Sequence, residues 1–292
     1  MKIQKFALAL CCIVTMFVAG CGSSSKSGTT TTTTSNINGV FADAPVVGLS
    51  YSCGSTTGVT GTGGAFTCPK SSTVTFTIGG TTICSAPAQA FMTPVTCAQA
   101  NGDPTANAST PSVVATAQWV ISVGTPAGTT PGTLTTLTIT SAEIQAAATV
   151  TLNFSSDTIQ SDMLTALAKV NPQQSLISQT AATLELAGTI NTNAAGTYSG
   201  TYSGGDTGTW TVTVDNFGNV SGSYTSNSGS GGTGTISGNF DSGTTYSGSA
   251  GENGAWTGNL NTSQPPTTGT GPYLFSGTWT NTKNDATGTF TN

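Results

Sequence analysis

The sequence contains no histidine and no arginine, and few charged residues of any kind. Its 292 residues carry 6 basic side chains, all lysine, and 11 acidic ones, and the charged fraction is 6%, against roughly 25% in a typical soluble protein. Without histidine, Ser-His-Asp and Cys-His catalysis and histidine-ligated metal sites are excluded. Without arginine and with a negative net charge, the chain lacks the surface that binds a phosphate backbone. We therefore expect no nucleic-acid partner, no metal or cofactor, and no enzymatic activity.

The first 21 residues have the layout of an export signal. Lys2 and Lys5 precede an apolar run over residues 6–18, and small residues at 19–20 lead to Cys21. This is the layout of a secretory signal peptide, and the run is shorter than the roughly 20 residues that a transmembrane helix needs. Residues 18–21 resemble the lipobox of bacterial lipoproteins, which implies a signal peptide over residues 1–20 and acyl chains on Cys21. The alternative is an ordinary secretory signal followed by a chance cysteine.

A polar tether, residues 21–36, follows the predicted lipidation site. It contains Gly, Ser and an uninterrupted run of threonine over residues 29–34, a composition typical of a flexible linker. Gly22 stands where an inner-membrane retention signal would place Asp, so we expect anchoring in the outer membrane, facing either the periplasm or the cell surface. Loss of Lys2 and Lys5 with the signal leaves four lysines against eleven acidic residues, a net charge of −7.

Residues 37–96 have the pattern of a small β-module. Residues 40–51 and 58–67 are rich in strand formers, and residues 73–78 alternate with period two before a Gly79-Gly80 turn into residues 81–83. The Pro-Val-Val-Gly-Leu motif at residues 45–49, with the Thr-x-x-x-Gly-x-Phe motif at 60–66, resembles the β-sandwich module of carboxypeptidase regulatory domains and transthyretin. That resemblance implies a scaffold or spacer.

Four cysteines, Cys53, Cys68, Cys84 and Cys97, lie in or beside this module. An even number of cysteines in an exported chain indicates two disulfides, and four cysteines allow three connectivities. We favour Cys53–Cys68 and Cys84–Cys97, because each pair closes a short local loop. A metal site is the alternative, but the chain has neither a Cys-x-x-Cys spacing here nor a histidine.

Residues 97–190 are predicted to form a small helical section. The first long helix starts at residues 110–111 and ends at Gly124, with Trp119 off its apolar stripe, and a capping box at 140–143 starts a short helix through 148. Another is expected from Ser161 to residues 171–172, and a third from Pro172 to Gly188. The inward positions predicted for these last two are Leu164, Leu167 and Ala168, and Leu176, Ile177, Thr180, Ala181, Leu184 and Ala187.

Two groups of acidic residues in this section have alternative interpretations. Residues 101–104 are similar to a fragment of a calcium loop but lack the acids that should follow. Asp157 and Asp162 could form a carboxylate pair, but they flank a predicted helix start, where acids stabilise the helix dipole. We favour turn and capping roles for both groups.

The C-terminal part, residues 196–292, repeats one five-residue unit, apolar-x-Gly-x-apolar. The unit occurs at 198–202, 220–224, 236–240, 246–250, 256–260, 275–279 and 286–290, and an alternating strand without the glycine occupies 210–214. Eight strands with glycine on the apolar face predict an antiparallel meander that curls into a small barrel. The alternation of short strands and turns is similar in pattern to avidin-type barrels. No ligand-binding residues match position by position, so a biotin site is not implied.

Aromatic residues recur in phase with the inner face of this predicted barrel. Trp210, Trp256, Trp279 and Tyr198 are the candidate ligand-binding residues, since they could line a cavity or stack on a sugar; Tyr202 and Tyr224 share the pattern. The alternative, which we favour from sequence, is that these rings fill the barrel as its core.

The sequence thus predicts a mainly β protein with a disulfide-bearing β-sandwich, short helices and a C-terminal eight-stranded antiparallel barrel. The first functional hypothesis is a lipid-anchored envelope protein that presents β-modules for adhesion or envelope structure. The second is a lipoprotein that binds a small ligand or glycan in the barrel. A carboxylate-only enzyme such as a glycosidase needs two acids about 5 to 10 Å apart in a cleft, and the scattered acids give it little support.

Overall fold

The computed structural model describes residues 35–127, 136–228, 232–240, 245–262 and 264–292. These residues belong to one compact unit, Thr34–Asn292. The predicted signal peptide, the lipidation site Cys21 and all but the end of the tether lie outside the described residues. No helix in the described part of the chain is long and apolar enough to cross a membrane.

The N-terminal half is built on small β-sheets. Its strands are β1 Asn36–Phe41, β2 Val46–Val47, β3 Ser50–Cys53, β4 Thr56–Val59, β5 Ala65–Pro69, β6 Thr73–Ile78, β7 Thr81–Pro87, β8 Phe91–Met92, β9 Thr125–Ala127 and β10 Thr136–Thr138. They form sheets of order β5-β1-β8, β4-β3-β6-β7 and β2-β10-β9. The Phe76 ring of the second sheet lies 4.6 Å from Phe41 and 5.1 Å from Phe66 of the first, so aromatic side chains fill the sandwich between them.

Both predicted disulfides are present. Cys53–Cys68 joins β3 to β5 and therefore crosses between the two sheets of the sandwich. Cys84–Cys97 joins β7 to the first helix. The closed loops span 15 and 13 residues, a length for which the chain-entropy model gives about 3 kcal/mol of stabilisation per bond.

In the part of the chain that the structure describes, five α-helices lie between the first sandwich strands and the barrel: α1 Pro94–Ala100, α2 Pro111–Val123, α3 Ser141–Ala146, α4 Ile159–Val170 and α5 Gln179–Ala194. The predicted limits of α2 and the capping box of α3 are confirmed. Trp119, predicted to lie off the apolar stripe of α2, is fully buried. The helix has no exposed face after residue 112, since every residue from Val113 onwards is buried. Most of the buried apolar residues that the structure describes lie in two clusters. Helix α2 contributes Trp119 and Val120 to the sandwich core, which it shares with the N-terminal sheets, and Ala117 to the barrel-side core, which it shares with α5 and the barrel.

The predicted inward face of α4 was partly wrong. Leu167 is buried, but Leu164 is 56% exposed and Ala168 is also exposed. Ser161 lies inside the helix and does not cap it; its hydroxyl donates to the Thr158 carbonyl. Apolar residues occupy more than one face of this segment, and packing against α2 selects the face that carries Met163, Ala166, Leu167 and Val170.

The predicted limits and face of α5 were also wrong. The helix starts after Ser178, whose hydroxyl accepts from the Ala181 amide, and it continues through Gly188. Leu184 is 56% exposed. A helix-interior glycine costs about 1 kcal/mol relative to alanine, and burial of the following turns offsets that cost. The buried positions are Ala182, Glu185, Leu186, Ile190, Asn191 and Ala194.

The C-terminal barrel is confirmed strand by strand. Its strands are β11 Gly196–Gly204, β12 Gly208–Val214, β13 Asn219–Ser226, β14 Thr233–Phe240, β15 Thr245–Ala250, β16 Gly254–Asn261, β17 Leu274–Asn281 and β18 Ala286–Thr291. Each pairs antiparallel with the next, and β11 pairs with β18 to close the barrel. The apolar residues and glycines of the repeated unit share the inner face, while the alternate Thr and Ser positions face outward.

Several inner-face glycines make room for aromatic rings of neighbouring strands. A β-carbon at Gly208 would lie 2.7 Å from the Tyr202 ring, and one at Gly288 would lie 2.5 Å from Nε1 of Trp279. A β-carbon at Gly234 would overlap the Tyr224 ring. Each ring thus covers the gap that a glycine leaves in the adjacent strand.

One end of the barrel is closed by protein. The Tyr198 hydroxyl donates to the Ala194 carbonyl at the end of α5, and the Tyr273 hydroxyl donates to Asn193. Asn292 is buried there, and its amide nitrogen donates to the carbonyls of Thr270 and Tyr273. The opposite end carries the β11–β12, β13–β14, β15–β16 and β17–β18 turns and holds a cavity.

Candidate ligand-binding site

The barrel contains a cavity of about 360 Å³ that opens at the turn-bearing end. Its lining comes from all eight strands of the barrel and from three of the turns at that end, β11–β12, β13–β14 and β17–β18. Cavities that hold small molecules span roughly 300 to 1,000 Å³ and are mostly apolar with a few placed polar groups. This cavity has the size of a small-molecule site.

Four aromatic residues form the cavity floor: Trp210, Trp256, Phe275 and Phe290. The Phe275 ring meets Trp210 edge-to-face at 5.8 Å and Trp256 at 5.9 Å. Phe290 lies 5.3 Å from Phe275 and 5.6 Å from Trp210. All four are buried. Because edge-to-face contacts are directional, the floor is a preformed apolar surface.

The indole N–H groups of the cavity are all used by the barrel backbone. Trp210 donates to the Thr201 carbonyl at 3.1 Å, and Trp256 donates to the carbonyls of Ser237 and Ser249 at 3.2 Å. Trp279 donates to the Ser203 carbonyl at 3.3 Å. The three tryptophans therefore offer a ligand their ring surfaces and no hydrogen-bond donor.

Three further rings form an aromatic wall above the floor: Tyr202 of β11, Tyr224 of β13 and Trp279 of β17. The Tyr202 ring is nearly perpendicular to both others, at 6.1 Å from Tyr224 and 5.8 Å from Trp279. All three are partly exposed. The wall therefore presents aromatic surfaces in more than one direction at the mouth of the cavity.

A single carboxylate, Asp206, stands beside this wall. Its Oδ2 accepts from the Tyr202 hydroxyl at 3.0 Å, and its Oδ1 accepts from the Thr207 amide at 2.7 Å and the Ser226 hydroxyl at 3.0 Å. Partial burial, the largest single influence, raises the pKa of Asp206. The hydrogen bonds from Ser226, Thr207, Tyr202 and Ser228 together outweigh it, so the pKa is lowered overall. Asp206 is therefore an anion at neutral pH.

The same contact keeps Tyr202 protonated. Burial first, and then the hydrogen bond to Asp206, raise the pKa of Tyr202 to about 12.

The mouth also carries Glu252, Asp285 and Lys283 in its turns, so with Asp206 this end has three acidic residues and one lysine. The remaining polar lining is neutral and comprises Ser226, Ser228, Thr233, Thr280, Asn281 and Asn284.

The cavity brings together three of the four ligand-binding residues proposed from sequence. Trp210 and Trp256 lie in the floor and Trp279 in the wall. Tyr198 lies at the closed end, fully buried, with its ring 5.7 Å from Phe275; it does not line the cavity. Burial raises the pKa of its hydroxyl. The floor residues thus serve both as core and as lining.

Sequence reasoning did not identify Asp206, Phe275 or Phe290 as lining residues. The two phenylalanines end or begin repeats of the apolar-x-Gly-x-apolar unit, so their inward orientation was visible. Asp206 differs, because its partner Ser226 lies 20 residues away on another strand. Its one sequence signal is an acidic residue next to a strand in a region that has very few.

The other acidic groups singled out in the sequence have local structural roles. Asp103 accepts from the Thr105 hydroxyl at 3.0 Å within a turn. Asp162 accepts from the Thr158 hydroxyl at 2.8 Å at the start of α4. Within the described ranges, no group of three or more acidic, cysteine or histidine side chains could hold a metal ion.

A buried acidic pair lies away from the cavity. Asp43, in the turn after β1, is fully buried, and neither carboxylate oxygen has a hydrogen-bond partner among the described residues. Burial, and then the charge of the neighbouring Glu185 of α5, raise the pKa of Asp43 well above its ordinary value. Neither residue lines the cavity, so this pair bears on stability.

No family model, curated protein or solved structure matches this chain. The resemblances to the lipobox, to transthyretin-like sandwiches and to avidin-type barrels therefore stay predictions.

Proposed function

We propose that this protein is a non-enzymatic envelope lipoprotein whose C-terminal barrel binds a small molecule at its open end. The observation that carries the proposal is the cavity of about 360 Å³ above a buried aromatic floor. A barrel whose side chains served only as core would fill this volume, because protein interiors pack to near crystal density. Here the inner face leaves space at one end and is closed at the other.

The construction of the cavity favours binding without large rearrangement. Its walls are strands of a closed ladder, its floor is an edge-to-face cluster, and its indole N–H groups are fixed to backbone carbonyls. Preformed sites avoid the cost of ordering loops and side chains on binding. A rigid receptor for a small ligand is the function that this arrangement supports best.

The chemistry of the lining supports binding rather than catalysis. Asp206 is the one carboxylate among the described lining residues, whereas glycoside hydrolysis normally requires two. The carboxylate also has a lowered pKa, which suits a fixed anion and not a general acid at neutral pH.

The proposed anchor places this receptor in the cell envelope. Lipid on Cys21 would hold the chain on the outer membrane, and residues 21–36 would separate the folded part from the bilayer. Binding of an envelope or external small molecule follows from that location.

Adhesion or envelope structure is the second proposed function. One observation favours it: every charged residue of the barrel in its described ranges lies in a turn, namely Asp206, Asp215, Glu252, Lys283 and Asp285. The strands present outward-facing Thr, Ser and Asn side chains, which suit contact with neutral polymers such as glycans. Protease treatment of intact cells, with lysed cells as control, tests it: cleavage of the barrel in intact cells supports surface display, and protection until lysis contradicts adhesion.

The experiment for ligand binding is a thermal-shift screen of the mature chain from Cys21, produced without lipid. The panel holds neutral sugars, aromatic compounds, apolar acids and organic cations. Ala250 lines the cavity and Ala255 faces outward on the next strand, so Ala250→Phe fills the site and Ala255→Phe is its matched control. We expect a ligand to raise the Tm of the unaltered chain and of the control. An equal rise in Ala250→Phe, or no rise with any compound, would contradict the proposal.

A further inference from the structure

We infer that the ligand of this cavity is an organic cation, with an alkylated ammonium head against the aromatic wall and Asp206 and an apolar body on the floor. The inference rests on the proposed function, because it names the ligand class of the same site. It follows from the rings at the mouth and from the charge beside them.

The aromatic wall is suited to a cation. A positive charge within about 6 Å of a ring centroid is attracted to the negative face of the ring, most strongly for tryptophan and then tyrosine. The Tyr202 ring is nearly perpendicular to the rings of Tyr224 and Trp279, at 86° and 85°, and all three rings line the cavity. The Trp279 N–H points to the Ser203 carbonyl, which leaves its ring surface as the part offered to a ligand.

Asp206 supplies the counter-charge. Its two oxygens accept three hydrogen bonds from Tyr202, Thr207 and Ser226, all of which are neutral donors. Among the described lining residues there is no lysine, so a bound cation would meet an anion that the protein itself does not neutralise.

The other charged residues at the mouth of the cavity also give it a net negative charge. Asp285 lies in the neighbouring β17–β18 turn and Glu252 in the β15–β16 turn of the same end, against Lys283 alone. A cleft with low-dielectric walls and one sign of charge concentrates ligands of the opposite sign and speeds their association. The local field therefore favours cations before any contact is made.

Anions and sugars fit the lining less well. An anionic ligand would be desolvated beside Asp206 without a basic partner, which is unfavourable. A neutral sugar could bond to the Ser, Thr and Asn side chains of the lining, but it would leave the charge of Asp206 without a counter-charge. An alkylated ammonium head needs no hydrogen-bond donor, and its apolar part can bury against Trp210 and Phe290.

The test compares choline with 3,3-dimethylbutan-1-ol, which has the same shape but carbon in place of the charged nitrogen. Both are titrated into the mature chain from Cys21 by isothermal calorimetry and by tryptophan fluorescence. We expect choline to bind at least about tenfold more tightly than its neutral counterpart, as contacts of a desolvated cation with aromatic rings allow. Raised ionic strength should weaken choline binding and leave the neutral compound unchanged.

Variants separate the roles of charge and ring. Asp206→Asn should weaken choline binding about tenfold without affecting the neutral compound, whereas Asp215→Asn, in the β12–β13 turn at the closed end, should change neither. Tyr224→Leu should weaken choline binding, and Tyr224→Phe should restore it, because the Tyr224 hydroxyl has no hydrogen bond in the described part of the chain.

Each outcome decides between the two claims. Equal affinity for both compounds, or tighter binding of N-acetylglucosamine than of choline, overturns the cation inference and leaves the proposed function standing. Insensitivity of choline binding to Asp206→Asn and Tyr224→Leu also overturns the inference. No response to any compound of the wider thermal-shift panel overturns the proposed function, and the inference with it.

Discussion

The Tyr202 hydroxyl donates a 3.0 Å hydrogen bond to Oδ2 of Asp206, and this contact joins the aromatic wall of the cavity to its carboxylate. Burial, and then this bond, raise the pKa of Tyr202 to about 12. At Asp206 burial raises the pKa, but the hydrogen bonds from Ser226, Thr207, Tyr202 and Ser228 together lower it overall. An electron-rich ring and a permanent anion are thus held side by side across the neutral pH range.

Cation binding should therefore be independent of pH over a wide range. Asp206 stays ionised until the pH falls below the ordinary range of aspartate, about 3.9, and Tyr202 stays protonated up to about 12. We expect a flat choline affinity between about pH 5 and 9, followed by a loss at lower pH. Tyr202→Phe removes one donor to Asp206, so it should shift that loss to higher pH. Calorimetry across pH provides the measurement, and a midpoint unchanged in Tyr202→Phe would contradict the assignment.

Asp43 should make the protein less stable as the pH rises. Its pKa is raised in the folded state, so its contribution is fully present below the unfolded value, about 3.9, and is lost as pH rises through the folded pKa. Between the unfolded and the folded pKa, we expect this group to lower the free energy of unfolding by up to about 1.4 kcal/mol per pH unit, with no further change above the folded pKa. Asp43→Asn should flatten the dependence and stabilise the protein at pH 7.

The control for that prediction is Asp157→Asn, which changes an exposed carboxylate of the same type. Urea denaturation at pH 4, 5.5 and 7 measures all three chains. The prediction is wrong if Asp43→Asn and Asp157→Asn have the same pH dependence as the unaltered chain.

The aromatic wall should depend on the glycine that accommodates it. A side chain at Gly234 would overlap the Tyr224 ring, whereas a β-carbon at Gly232 has no neighbour within 4 Å. We expect Gly234→Val to lower the free energy of unfolding by about 1–3 kcal/mol through overpacking and to weaken choline binding. Gly232→Ala, which adds a methyl group in open space, is the control for stability and should leave the free energy of unfolding unchanged. Calorimetry and urea denaturation of both variants would show whether the two effects occur together.

The face of α5 can be tested with two leucines of the same helix. Leu186 is fully buried and Leu184 is 56% exposed. Leu186→Ala should cost about 2–5 kcal/mol of stability, and Leu184→Ala no more than about 0.5 kcal/mol. Similar losses in the two variants, measured by urea denaturation, would contradict the orientation of α5.

The barrel could be predicted from sequence because its information is local. The repeated apolar-x-Gly-x-apolar unit fixes which residues point inward on each strand, and short turns make neighbours in sequence neighbours in the sheet. The disulfide pairing could be predicted for the same reason, since Cys53–Cys68 and Cys84–Cys97 close short loops.

The buried faces of the helices and the cavity could not be predicted from sequence, because they depend on contacts between residues that are distant in the chain. Leu184 and Leu186 are both apolar positions on α5, and only packing against α2 and the barrel-side core decides which one is buried. Asp206 gains its role when β13 pairs with β12 and brings Ser226 to the β11–β12 turn, where the Tyr202 hydroxyl also reaches the carboxylate. The volume of the cavity likewise depends on how eight strands close around their side chains, which no single segment determines.

The most direct test of the central claim is a tryptophan-fluorescence titration with choline of three chains: the mature protein, Ala250→Phe and Ala255→Phe. Trp210, Trp256 and Trp279 line the cavity, so a ligand there should change their emission. We expect a saturable change in tryptophan emission in the mature protein and in Ala255→Phe, and no change in Ala250→Phe. Saturation of Ala250→Phe at the same midpoint would contradict it, because the ligand would then bind outside the cavity.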